Sequence, residues 1–121
     1  MPFLLRQKLK INIKKYGELM ADVKERIEKI LNDNKVVLFM KGTPQFPMCG
    51  FSGRATAILD DIGVNYHAVN VIEDSEIREG IKTYGNWPTL PQLYINKELV
   101  GGSDIMMEMY QNGELQEMLK N

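Results

Sequence analysis

The residues best suited to chemistry gather around a single thiol. Cys49 is the only cysteine in 121 residues. It follows Lys41-Gly42-Thr43-Pro44-Gln45-Phe46-Pro47, a loop punctuated by glycine and two prolines. Behind it, Gly53 to Ile62 carries Ala55, Ile58, Leu59 and Ile62 at helical spacing, and Gly63 is a good stop. A cysteine near a helix N-terminus sits beside unpaired backbone N–H groups and the positive end of the helix dipole. Both favour thiolate over thiol. Lys41, at the end of the preceding strand, is placed to add a cation. One cysteine excludes any disulfide within the chain and any zinc site that needs two or more cysteines from it. The lone histidine, His67, excludes a histidine cage. Sulfur chemistry here must therefore borrow its second thiol from another molecule.

The elements that position Cys49 follow from periodicity and punctuation. Ala21 to Asn34 reads as a helix, with Val23, Ile27, Ile30 and Leu31 on one face and Asn32-Asp33-Asn34 ending it. Val36 to Met40 is an unbroken apolar run of strand length, which predicts a central strand buried on both sides. The helix after Cys49 leads to a second strand, Asn65 to Val71. A helix from Ser75 to Tyr84 comes next, with Asp74 or Ser75 as its cap. After the punctuated loop Asn86 to Pro91, Gln92-Leu93-Tyr94-Ile95 and Glu98-Leu99-Val100-Gly101 flank Asn96-Lys97 as a hairpin whose turn type stays open. Ser103 or Asp104 is expected to cap a helix through Tyr110. Gly113 breaks it, and a last short helix runs to Leu119. A β-α-β start implies a parallel pair with a right-handed crossover. The result is an α/β fold, a four-stranded mixed sheet with helices on both faces.

The formal net charge is −1, which argues against general nucleic-acid binding, and no run of 18 apolar residues exists to span a membrane. The −1 conceals an asymmetry. Residues 1–17 carry Arg6, Lys8, Lys10, Lys14 and Lys15 and no acid, which leaves −6 on the remainder. Residues 1–20 are read as a flexible basic extension and residues 21–121 as the folded domain. The extension is faintly like a mitochondrial transit peptide, though it has one arginine and no serine.

Cys49-Gly50-Phe51-Ser52 reads C-G-F-S, which resembles the signature of the monothiol glutaredoxins, a class of the thioredoxin superfamily. Two further blocks resemble that family: Trp87-Pro88-Thr89-Leu90-Pro91-Gln92 and Gly101-Gly102-Ser103-Asp104-Ile105. The segment Met40-Lys41-Gly42-Thr43-Pro44 matches as well, including a loop longer than in dithiol glutaredoxins. The likeness covers about residues 21–120 and implies a thioredoxin-like fold.

The resemblance also implies a glutathione site. Cys49 would be the working thiol. Lys41, Arg78 and Lys82 match positions that face the glycine carboxylate. Pro91 matches the family's cis-proline, which turns the Leu90 backbone toward the thiol with Thr89 alongside. Ser103 and Asp104 match positions that hold the γ-glutamyl end. Ser52 and Ser103 stand where relatives carry a second thiol.

Three functions compete. The first is a carrier of a [2Fe-2S] cluster held between two subunits by two Cys49 thiolates and two glutathione thiolates, passing it to acceptor proteins. The cluster's need for four thiolates agrees with that count. The second is a glutathione-dependent oxidoreductase, which in this class is weak. The third is an iron-status adaptor paired with a BolA-type protein. His67, remote in sequence from Cys49, is expected to be a surface or strand residue rather than a ligand. A bacterial cytoplasm, or a mitochondrial matrix in a eukaryote, would both supply glutathione.

Overall fold

The computed structural model describes residues 13–120. Its elements are α1 (Ile13–Asp33), β1 (Val36–Met40), α2 (Gly50–Ile62), β2 (His67–Asn70), α3 (Ser75–Gly85), β3 (Gln92–Ile95), β4 (Glu98–Gly101), α4 (Ser103–Asn112) and α5 (Glu114–Leu119). The sheet has the order β2-β1-β3-β4. β2 runs parallel to β1, and β3 and β4 are antiparallel additions. This is the mixed α/β sheet that the sequence predicts.

All five residues of β1 are buried, as expected of a strand covered on both faces. Alternation divides them between two cores. Val37 and Phe39 join Tyr94 under α1 and α3, where Val23, Ile27, Leu31, Ile77 and Ile81 pack. Val36, Leu38 and Met40 join Leu93 and Ile95 under α2, α4 and α5, against Ala55, Leu59, Met106 and Leu115. In the β3–β4 hairpin both Asn96 (φ 50°) and Lys97 (φ 69°) lie in the left-handed region. That is the signature of a type I′ turn, whose twist matches the strands it joins.

Three boundaries differ from expectation. α1 begins at Ile13 rather than Ala21, so the helix crosses the anticipated domain boundary. Tyr16, Leu19 or Met20, and Val23 continue the apolar spacing upstream, although Gly17 is unfavourable within a helix. Tyr16 and Leu19 nevertheless stay exposed. The part of the anticipated flexible extension in residues 1–12 lies outside the described residues. α2 begins at Gly50, three residues earlier than read, because Cys49 itself is the N-cap. Neither Ser103 nor Asp104 caps α4. Gly102 occupies that position without a side-chain bond, and Ser103 is the first helical residue.

Asp74 does cap α3, accepting from Ile77 N–H, and the same carboxylate pairs with Arg26 of α1. Partial burial pushes its carboxyl pKa up, but the Ile77 and Glu76 N–H groups and Arg26 hold it below the usual range. At the crossing of α1 and α3 the helices come close at Gly80. A Cβ there would lie 2.3 Å from Val23 Cγ1. Among the described residues no helix is long and apolar enough to cross a membrane.

Candidate functional site

Cys49 lies just beyond the end of β1, with its backbone extended (φ −154°, ψ 155°) so that its side chain turns back over α2. Its Sγ accepts from Ser52 N–H at 3.3 Å, the position that Ser, Thr or Asp oxygen usually fills. Ser52 Oγ lies 3.3 Å from the same sulfur and accepts Lys41 N–H at 3.1 Å. The buried hydroxyl thus spends a lone pair on the loop and keeps its hydrogen for the thiolate. Partial burial raises the thiol pKa. The Ser52 hydroxyl, the N–H groups of Ser52 and Phe51, and the Lys41 charge together outweigh it, so the thiol titrates below its ordinary value.

The preceding loop is closed by its own backbone. Met48 N–H donates to Lys41 C=O at 2.9 Å, and Thr43 and Phe46 exchange bonds of 3.2 and 3.1 Å. Gly42 must take φ +93° for this closure, and its N–H donates to Asn70 Oδ1 at 2.9 Å. The loop therefore hangs from the end of β2. Phe46, Met48 and Phe51 are left exposed around Cys49.

Beside the thiol lies a cleft of ≈ 420 Å³, within the usual range for small-ligand sites. Its walls bring together Lys41, Lys82, Thr89, Leu90, Pro91, Ser103 and Asp104 of the expected residues, with Phe51 and Trp87. Cys49 is not in the wall. It is joined to it through Ser52 and Lys41. Arg78 is not in the wall either. It is partly buried on α3, one turn before Lys82, and its Nε is buried without a partner. The Leu90–Pro91 bond is cis, as the resemblance implies. His67 is exposed at the far end of β2, opposite Val37 rather than Met40.

Two residues that position the cleft carried no role in the sequence reading. Asn70 is one. Gln92, fully buried, is the other. Gln92 Nε2 donates to Trp87 C=O at 2.9 Å and to Thr89 C=O at 3.3 Å, and its Oε1 accepts Tyr94 O–H at 3.1 Å. It therefore ties the 86–91 loop to β3. Replacing Gln92 with leucine strands three polar groups, so urea unfolding should show a loss of about 2 kcal/mol. An unchanged midpoint would contradict this account.

Solved structures place this architecture among the glutaredoxins of the thioredoxin fold. The solution structure of reduced apo GrxS14 from poplar matches at TM-score 0.72 and 47% identity, over 80% of this chain and 89% of that one. A buckwheat glutaredoxin solved as a glutathione complex matches at TM-score 0.75 and 25% identity, over 84% and 91%. The Glutaredoxin family model matches residues 36–100. A monothiol glutaredoxin of Synechocystis is 56% identical over 82% of this chain and 92% of its own length. The mitochondrial monothiol glutaredoxin-5 of Lachancea kluyveri is 51% identical over 85% and 74%. The chain belongs to the monothiol glutaredoxin family.

Proposed function

We propose that this chain binds glutathione in the cleft and, as a pair of chains, carries a [2Fe-2S] cluster for delivery to acceptor proteins. One observation carries the reading. A lone thiol with lowered pKa caps α2 beside a cleft whose wall includes Lys41, Lys82 and the start of α4. Glutathione has two carboxylates, one ammonium and one thiol. Lys41 and Lys82 suit the glycine carboxylate. The free N–H groups at the start of α4 suit the second carboxylate, and Asp104 suits the ammonium. The Leu90 backbone, in the cleft wall, would pair with the peptide as an added strand. Arg78 does not line the cleft, so its expected part at the glycine carboxylate has less support than that of Lys41 and Lys82.

The ligand count supports the cluster. A [2Fe-2S] cluster takes four thiolates, and each chain offers one. Two Cys49 thiolates with two glutathione thiolates complete the set, and the exchangeable half suits delivery rather than storage. Phe46, Met48 and Phe51 are the exposed apolar side chains that a second chain, an acceptor or a BolA-type partner would cover.

Anaerobic reconstitution with iron, sulfide and glutathione tests the proposal. Absorption of a [2Fe-2S] centre should appear, should need glutathione, and should vanish in Cys49→Ser. No absorption, or full retention in that variant, would sink it.

The lowered thiol pKa also favours a second reading, deglutathionylation. The Cys49 thiolate would attack the glutathione sulfur of a mixed disulfide and release the client thiolate. A second glutathione would then attack the Cys49-bound glutathione, restore the thiolate and leave as oxidised glutathione. Turnover on a glutathionylated peptide at the rate of a dithiol glutaredoxin would place this role first.

A further inference from the structure

We infer that Arg54, on α2, makes this cleft selective for a ligand whose end is an amino-acid zwitterion. The inference rests on the glutathione reading above. Arg54 Nη1 lies 3.6 Å from Asp104 Oδ1, and the two side chains are 48% and 87% exposed. Asp104 belongs to the cleft wall; Arg54 does not line it and meets it through Asp104. Next to Asp104, Ser103 Oγ is buried and has no hydrogen-bond partner.

The γ-glutamyl end of glutathione holds a carboxylate and an ammonium on one carbon. Asp104 alone would attract the ammonium but repel the carboxylate beside it. The N–H groups at the start of α4 would attract the carboxylate but do nothing for the ammonium. An Arg–Asp pair is a dipole that a zwitterion can meet head to tail. The ammonium takes the Asp104 carboxylate, and the ligand carboxylate, while facing the α4 N–H groups, also meets the planar Arg54 fork. Every charge has a partner before and after binding, so neither state strands one. A ligand with only one of the two groups must break the pair and leave one member unmatched. Arg54 thereby turns a site for an anion into a site that demands both charges.

Three tripeptides separate the terms by calorimetry: glutathione, glutaryl-cysteinylglycine (carboxylate kept, ammonium absent) and 4-aminobutanoyl-cysteinylglycine (ammonium kept, carboxylate absent). In Arg54→Gln, affinity for the first two should fall roughly three- to tenfold, as expected for one exposed charged contact. Affinity for the third should hold or rise, because Asp104 is freed. The loss should shrink at high salt. A parallel shift for all three peptides would mark a structural defect and overturn the inference. So would no shift, or tighter binding of glutathione. If the unaltered chain binds no glutathione, the underlying reading falls with it. If it binds glutathione but Arg54→Gln leaves the ratio of the two analogues unmoved, only the role of Arg54 falls.

Discussion

Gly42→Ala is expected to destabilise the chain by about 3 kcal/mol and to unseat Cys49. Two independent costs combine. The residue sits at φ +93°, where a side chain is strained whatever the space around it. There is also no space: an added Cβ would lie 2.5 Å from Phe46 O, 2.7 Å from Met48 N and 2.8 Å from Met48 Cγ. Two of these atoms are backbone and belong to the turn that closes the loop, so relief means opening the turn. Opening it breaks the Met48 N–H to Lys41 C=O bond and moves the segment that leads into Cys49. Urea unfolding should report the lost stability. Iodoacetamide should alkylate Cys49 with a pH profile moved toward that of an unstructured thiol. A variant as stable as the unaltered chain, with the same profile, would refute this account.

Lys41→Glu is expected to weaken glutathione binding by at least about tenfold. It reverses a charge in the cleft wall, beside a thiol whose pKa lies below its ordinary value. The direction of the pH effect follows from charge. A cation near the sulfur favours thiolate, so the thiol pKa lies lower with Lys41 than without it, and an anion raises it. The alkylation rate of Cys49 should therefore rise at higher pH in the variant, while its plateau stays close to that of the unaltered chain. Lys41 is the smallest of the influences that lower the thiol pKa, so the profile should move less than the affinity falls. The fold should survive, because Lys41 meets Ser52 through its backbone N–H and not through its side chain. Unchanged glutathione affinity would count against placing the glycine carboxylate here.

Much of this architecture is legible residue by residue. Val36 to Met40 reads as a strand covered on both faces, and it is one. Gly63 ends α2 in the left-handed conformation (φ 81°), as its position suggests. The three family blocks lead to one cleft through Lys41, the 87–91 loop and the start of α4. The features that escaped reading depend on contacts between residues far apart in the chain. Asn70 looks like an ordinary strand end until its side-chain Oδ1 is found to accept Gly42 N–H, 28 positions away. Gln92 looks like a strand residue until its burial and three partners are known. Arg54 looks like a solvated helix residue until α4 brings Asp104 beside it. Ser103 was expected to cap α4 because its type favours that role, but Gly102 stands one place earlier and takes the extended conformation instead. Periodicity reports which face of an element is covered. It cannot report which side chain on one element hydrogen-bonds a backbone group on another.

The N-cap of α2 has a consequence for the energetics of the whole chain. The atom that caps the helix is also the atom that reacts. When Cys49 forms a disulfide with glutathione, its sulfur ceases to be an anion, and the Ser52 and Phe51 N–H groups lose the charge they stabilise. Folding and reduction are then thermodynamically linked, as protonation and folding are linked for any group whose pKa the native state shifts. The cap contacts favour the thiolate and so act toward release of the bound glutathione, while the cleft contacts proposed above act the other way. A protein with a stabilised reduced form is a good oxidant once it is oxidised. The helix cap thus bears on how readily this chain gives up whatever its one thiol has captured.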